Sequence, residues 1–424
     1  MKVAIIGAGP SGLVMAKQLK DREIPFAIFE RDADLGGVWN INNEHSVMYE
    51  SAHTISSKFL TQFTEYPMPT DYSDYVSHHK MLSYFKNYAA EYDLKDAIHF
   101  NQNIVEVNQT AQGKFALKTE GQQEVQVFDY LVIATGHVSQ PRFPDLDLSA
   151  FNGDVIHTCD YEEPSIFKDK NVMIIGAGNS ACDIACDAVS TASHVSVSMR
   201  RGYYFIPKFI FGMPADEFGE TSNKLRVPML IQQYLNQFIL RVMQGNLQKL
   251  GFPKPDHRLF ESHPIVNELL IYHVRHGDIF ICGDVQEIKA NYVKMKNGTN
   301  ILADFIVLAT GYQHDFTFLD KNLQPNPDNL FLNIFSKKHE GLSFLGLLDP
   351  NSGVISIIEQ QAVAVAKAIE SKINLTDLQQ LFQSQPKLNA GINYINSDRH
   401  EYEVNSSIYR RELKRLLKKL GEAF

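Results

Sequence analysis

The chain has 424 residues, 44% of them hydrophobic and 21% charged, the balance of an ordinary soluble globular protein with room for two or three domains. Its formal net charge of −9 argues against the basic surface that nucleic-acid binding demands. No run of about twenty apolar residues is present, so no membrane span is expected, and the first strand begins at residue 2, which leaves no room for a signal or transit peptide.

Residues 2–6 are mostly apolar and predict a buried parallel strand. The turn Gly7-Ala8-Gly9-Pro10-Ser11-Gly12 follows, then a helical stretch to residue 22, a second strand over 25–29, and Glu30. Gly7 permits the tight turn, Gly9 lets backbone approach a pyrophosphate, and Gly12 lets the helix pack closely on the strand. Free N–H groups at the helix start favour the anion. Glu30, at the tip of the second strand, can accept from ribose hydroxyls and would repel a 2′-phosphate, so this site should hold FAD or NAD rather than NADP.

Arg31 and the run Gly36-Gly37-Val38-Trp39 come next. A paired glycine lets backbone come close to a cofactor. Trp39, the only tryptophan, reads either as a flat wall near a flavin ring or as a core aromatic. Residues 46–76 predict a long ordered loop, a length that is usually functional. A helix over 79–91 carries Met81, Leu82, Phe85, Tyr88 and Ala89 at core spacing. Three short strands (98–107, 114–119, 124–128) precede a buried strand that runs into Thr135-Gly136 and should return to the first sheet.

At 171–181 the opening recurs: a strand, then Gly176-Ala177-Gly178-Asn179-Ser180-Ala181, then a helix. Two such units in one chain imply two dinucleotides brought together. The second unit's next strand ends in Arg200-Arg201-Gly202, where the first has its acid. Two guanidinium groups suit a 2′-phosphate, so this site should prefer NADPH. Residues 203–270 predict a helical insertion; short strands follow at 279–282, 285–288 and 292–295. A strand into Ala309-Thr310-Gly311-Tyr312 echoes the one ending at Gly136. A further strand at 343–346 and a helix over 357–369 lead to a basic amphipathic tail helix from residue 407, read as a solvated helix face in preference to a membrane-surface helix. Cys159, Cys182, Cys186 and Cys282 form no disulfide framework, which fits a reducing, cytoplasmic setting. No metal-ligand pattern stands out.

Phe151, Gly153, His157 and Tyr161, lying between the two glycine turns, complete a pattern that resembles the signature of the flavin-containing monooxygenases, the class B flavoprotein monooxygenases. The resemblance covers nearly the whole chain and includes the stretch 63–69 and Glu359-x-Gln361-Ala362. It implies an α/β fold of two Rossmann-like dinucleotide-binding domains, the second inserted in the first. The FAD-binding domain would take 1–157 and 315–424, and the NADP-binding domain 158–314, with the helical insertion at about 203–270. It further implies that NADPH reduces FAD, that O2 adds to form a C4a-hydroperoxide, and that a nitrogen or sulfur of a small molecule is oxygenated. By the same resemblance Trp39, Val105 and Gln361 join the first turn, Glu30, Arg31, Gly37 and Val38 at FAD. Asn179, Ser180, Arg200, Arg201, Thr310 and Gly311 serve NADP+, and the segment around His157 links the domains. A homodimer is the assembly the family suggests.

One departure matters. Where much of the family has an asparagine beside the flavin, this chain has Ile55, between Thr54 and Ser56-Ser57-Lys58. Either His53, Thr54 or Ser56 substitutes, or the hydroperoxide is short-lived and the enzyme is an NADPH oxidase releasing hydrogen peroxide. Baeyer–Villiger oxidation of ketones is a further alternative, against which the Tyr161-Glu162 ending leans.

Overall fold

The computed structural model describes residues 1–138, 140–224, 229–382, 388–389, 392 and 401–422. The chain divides into two compact units. One comprises Met1–Ser46, Ser56–Gln140 and Gln313–Phe424; the other comprises Val47–Ile55 and Pro141–Tyr312.

The first unit is built on Val3–Ile6, buried at every position and flanked in parallel by Phe26–Phe29 and Tyr130–Ile133. Continuous burial on both faces is why these strands are apolar runs rather than alternating ones. The helix Pro10–Lys20 makes the crossover, with proline at its first turn, where a missing N–H costs nothing. Ile98–His99 extends one side of the sheet and Leu342–Phe344 the other, ending in the antiparallel pair Phe335–Ser336 and Leu330–Phe331. The helix Ile355–Glu370 packs on Pro10–Lys20, and every residue in it except Lys367 and Glu370 is buried. Its apolar residues run all round, as a fully enclosed helix requires. The tail helix Ser406–Lys419 buries Tyr409, Leu413, Leu416 and Leu417, so its apolar side is taken up by this unit's core rather than left for a lipid surface.

The second unit carries a five-stranded parallel sheet in the order Ile279–Cys282, His194–Ser198, Asn171–Ile175, Phe305–Leu308, Asp154–His157. The last of these explains a shifted boundary. The sequence reading places 141–157 with the first domain, whereas Asp154–His157 pairs in parallel with Phe305–Leu308 and so joins the second sheet. Gly153 makes that entry possible, because a Cβ there would lie 2.1 Å from the Asp304 carbonyl oxygen. The segment Val47–Ile55 also belongs to this unit. The insertion is not purely helical. It contains the helices Ala215–Lys224 and Met229–Gln244, but also the hairpin Phe209–Ile210 with Met213–Pro214, and the pair Phe205–Ile206 with Ile265–Val266. Residues 225–228 of the insertion, which include the start of the helical periodicity expected over 227–243, lie outside the described residues.

Candidate active site

In the first unit Gly7 has φ +105°, and a Cβ there would stand 2.6 Å from the Ala134 carbonyl oxygen. A Cβ on Gly12 would stand 1.9 Å from the Gly7 carbonyl oxygen, which leaves no room for any other residue at the helix–strand contact. Gly9 caps the helix without a side-chain hydrogen bond, so the first-turn N–H groups keep their capacity for an anion. Gly36 N–H donates to the Ala8 carbonyl at 3.0 Å. That bond folds the glycine pair back onto the turn, and Gly37, at φ +55°, comes so close to Gly9 that a Cβ on it would lie 3.2 Å from the Gly9 Cα. Trp39 closes the short helix Gly37–Trp39 and packs against the main core. Pro10 and Ser11 open the helix, Arg31 is exposed, and Val38 accepts from Ser46 Oγ at 2.8 Å through its carbonyl.

Glu30 is buried. Its Oε2 accepts from Ala8 N–H at 2.6 Å and its Oε1 from Asp32 N–H at 3.0 Å. Each oxygen retains a lone pair for a ribose hydroxyl. Burial pushes this carboxyl above its usual range, and the two N–H donors oppose that shift. Val105 stands apart from this group. It lies exposed on the strand Ile104–Gln109, where the pairing with Phe115–Thr119 is irregular.

The second turn repeats the geometry. Gly176 has φ +127° and sits against Ala309, whose carbonyl oxygen would be 2.2 Å from a Cβ. Gly178 caps the helix Asn179–Ala188, again without a side-chain bond, and a Cβ on it would meet nothing within 4 Å. Backbone N–H groups beside open space are what a pyrophosphate needs. Asn179 turns its Oδ1 to accept from Val266 N–H at 2.8 Å, tying the insertion to the turn. Arg201 is already held, donating to Asp256 Oδ1 at 3.0 Å and lying 3.2 Å from His257 Nδ1, while Arg200 is exposed. Thr310 donates its hydroxyl to the Arg142 carbonyl, and Gly311 follows at φ +84°.

His157 spends both ring nitrogens inside this unit. Nδ1 lies 3.3 Å from the Cys159 N–H and must accept, so Nε2 carries the proton toward the Gly311 carbonyl at 3.2 Å. The ring is therefore neutral, and burial holds its pKa below the ordinary value. Its bonds brace the turn at Gly311. Tyr161 is fully buried, stacked on Phe167, and donates to Asp187 Oδ2 at 3.0 Å; Phe151 lies beside Gly153.

A strap that the sequence reading missed completes this unit. Asp183 and Asp187 stand one turn apart on Asn179–Ala188. Tyr49 donates to Asp183 Oδ2 at 2.9 Å, and Asn267 donates to Asp183 Oδ1 at 2.7 Å. Ser51 donates to Asp187 Oδ2 at 2.5 Å, and Glu50 N–H to the Glu162 carbonyl at 2.9 Å. Burial pushes both aspartates above the usual carboxylate range, and the donated bonds pull against it. The only signal in the sequence is the i, i+4 aspartate pair, which nothing local connects to residue 49.

The strap leads into the residues considered for the missing asparagine. His53 is exposed, with Nδ1 2.8 Å from the Ser51 carbonyl; Thr54 is buried; and Ile55 is 45% exposed. In the first unit Ser56 Oγ lies 2.7 Å from Thr61 Oγ1, which bonds the Ser57 carbonyl at 2.7 Å, so the Ser56 proton is committed to Thr61. There too, Glu359 accepts from the N–H groups of Thr64 and Glu65 at 2.8 and 3.0 Å, fixing the stretch after Phe63. Gln361 accepts from Gly346 N–H at 3.0 Å and donates to the Tyr409 hydroxyl at 2.6 Å. These two bonds fix its orientation and leave one N–H and one lone pair of the amide.

Comparison with known proteins agrees with this geometry. Residues 1–418 match the family described as flavin-binding monooxygenase-like. Dimethylaniline monooxygenase [N-oxide-forming] 2 of Mus musculus is 30% identical over 390 residues, covering 85% of this chain and 72% of the relative. The structure of S-allyl-L-cysteine S-oxygenase from Allium sativum superposes with a TM-score of 0.68 at 21% identity, covering 100% of this chain and 89% of that one. An ε-caprolactone-bound cyclohexanone monooxygenase superposes with a TM-score of 0.74 at 15% identity, covering 99% and 98%. No helix among the described residues is long and apolar enough to cross a membrane. With two uncapped glycine turns, each following a parallel strand of its own sheet, and the family match over almost its full length, the chain belongs to the flavin-binding monooxygenase-like family and is an FAD- and NADPH-dependent monooxygenase.

Proposed function

We propose that the first unit holds FAD, that the second holds NADPH, and that the enzyme oxygenates a nitrogen or sulfur atom of a small molecule. The observation that carries the assignment of cofactors is the contrast at the two strand ends: buried Glu30 after the first turn, Arg200 and Arg201 after the second. A carboxylate receives ribose hydroxyls and repels a 2′-phosphate, whereas a guanidinium pair binds one. In this reading Gly7, Gly9, Gly12 and Glu30 hold FAD, with Gly37, Val38 and Trp39 alongside. Gly176, Gly178, Ser180 and the arginines hold NADPH. The cofactors supply hydride transfer and oxygen activation; the chain's residues bind, orient and exclude water. Tyr49, Ser51 and Tyr161 fix the helix behind the second turn, and His157 fixes Gly311.

Ile55 favours a second reading, in which much of the reducing power ends as hydrogen peroxide. It offers no hydrogen bond, and the Ser56 hydroxyl is engaged by Thr61. Both readings are tested by turnover with 18O2 on a panel of tertiary amines, sulfides and cyclic ketones. One labelled oxygen per NADPH in an amine or sulfide product supports the first; label only in peroxide, whatever is offered, supports the second; label in a lactone would establish ketone oxidation instead.

A cytoplasmic setting is supported by four free cysteines. A homodimer is supported by the exposed apolar row Leu230, Ile231, Tyr234, Leu235, Phe238 and Val242 on Met229–Gln244, a face that water does not favour. Sedimentation equilibrium of Phe238→Glu against the native chain tests it: a monomer only in the variant supports the dimer, and a monomer in both refutes it.

A further inference from the structure

The tail helix Ser406–Lys419 buries one side and turns a row of cations outward. Arg410, Lys414 and Lys418 recur every four residues, with Arg411 and Arg415 beside them; Arg410 is half-buried and donates to the Gly353 carbonyl at 3.2 Å and to Ser356 Oγ at 2.9 Å, while Lys414 and Lys418 are exposed. The row therefore climbs about 12 Å along the helix axis. With Gln360 and Ser407 these five side chains line a groove of about 520 Å³, a size typical of small-ligand sites. In a chain of net charge −9, such crowding opposes folding, because like charges one turn apart repel. Glu412 relieves part of it, pairing with Arg411 at 3.3 Å and Arg415 at 2.6 Å. Among the described residues no carboxylate pairs with Lys414 or Lys418.

A second, independent observation lies at the floor of the groove. Gln360 is 6% exposed, and its Oε1 is buried without a hydrogen-bond partner. Its neighbours on the same helix are satisfied, Glu359 by backbone N–H groups and Gln361 by Gly346 and Tyr409. A buried amide left unpaired is costly and calls for an explanation. A half-turn of its terminal torsion exchanges oxygen and nitrogen, so this amide can offer the groove either an acceptor or a donor.

We propose that this groove binds a soluble oligophosphate. Arginine forks take phosphate oxygens in pairs and lysines act as point charges. The length of the row suits several linked phosphates, since a single one would engage only one turn of it. The Gln360 amide would donate to a phosphate oxygen or accept from a bound P–OH. None of the lining residues belongs to either glycine turn.

The test uses the full-length, FAD-loaded protein in saturating NADP+, so that the nucleotide turns are filled, titrated calorimetrically with inorganic tripolyphosphate. The expected result is one site per chain, weakened by added salt as exposed charge pairs are. The variant Arg411→Gln/Lys414→Gln/Lys418→Gln should bind about tenfold more weakly, a factor of two to three for each exposed pair lost. Gln360→Met, which keeps the volume and removes the amide, should bind several-fold more weakly. Unchanged bleaching of the flavin by NADPH in the triple variant shows that it is folded. Absence of a binding heat, or equal affinity in the triple variant, overturns the proposal. So does co-sedimentation with phosphatidylserine vesicles without tripolyphosphate binding, which would make the row a membrane contact.

Discussion

Gly12, the third motif position of the first turn, and Gly178, the second position of the other and the counterpart of Gly9, predict opposite consequences for alanine. A methyl on Gly12 would lie 1.9 Å from the Gly7 carbonyl oxygen and 3.5 Å from Ile5 Cγ2. Restoring ordinary contact means moving the helix about 1.5 Å off its strand, an overpacking that costs about 1–3 kcal/mol and carries the first-turn N–H groups away from the anion. A methyl on Gly178 meets nothing within 4 Å, and its φ of −75° suits alanine. Gly178→Ala should therefore melt at or slightly above the native temperature, gaining about 0.4–1 kcal/mol from the stiffer unfolded chain. Under the proposed assignment, its methyl would nonetheless enter the space that the NADPH pyrophosphate requires. Gly12→Ala should purify with little FAD and melt lower. Gly178→Ala should retain FAD yet need at least ~10-fold more NADPH for half-maximal flavin reduction, ~1.4 kcal/mol. Flavin content, thermal melts and stopped-flow reduction against NADPH concentration give the three readouts. Native NADPH affinity in Gly178→Ala would refute the assignment of the second turn.

Three further outcomes are expected. Arg201→Gln should lower the NADPH-over-NADH preference in kcat/KM by about ten- to a hundredfold, because Asp256 holds that guanidinium in place, whereas exposed Arg200→Gln should lower it only a few-fold. Tyr49→Phe removes a donor from buried Asp183 and should cost about 1–3 kcal/mol near neutral pH. That cost should shrink on acidification as Asp183 protonates, which urea unfolding at two pH values will show. His157 has a folded pKa depressed below its ordinary 6.5, so its contribution is fully present above that value and is lost as pH falls through the folded pKa. The stability advantage of the native chain over His157→Gln should accordingly narrow from about pH 7.5 to pH 5, and parallel pH profiles would contradict the neutral-ring assignment.

The glycine turns, their strands, Glu30 and the arginine pair are legible in the sequence because each is a local pattern a few residues long with one conformational solution. The α/β architecture follows, since two such units require two parallel sheets. The strap is not legible, because Tyr49 meets Asp183 across 134 positions and neither residue type announces the other. Gln361 shows the limit of reading a role from a motif. The glutamine is where the pattern puts it, but nothing in the pattern tells that its amide is oriented by the Gly346 N–H and the Tyr409 hydroxyl. His157 is likewise evident from the signature, while its bonds to Cys159 and Gly311 are not legible there. The insertion reads as helical from its periodicity, yet two-residue strands such as Phe205–Ile206 and Ile265–Val266 are set by pairing across it and leave no periodic trace.

The most direct measurement is reduction of the FAD-loaded protein by NADPH without oxygen, followed by rapid mixing with oxygenated buffer while flavin spectra are recorded, with and without a tertiary amine or sulfide. Complete bleaching by NADPH, then reoxidation through a spectrally distinct species whose decay the substrate accelerates, is the result this account predicts. Flavin that NADPH does not bleach would contradict the two-nucleotide arrangement at its root. Reoxidation in a single step that ignores every substrate, with peroxide matching the NADPH consumed, would contradict oxygen transfer and leave Ile55 as the residue to replace with asparagine.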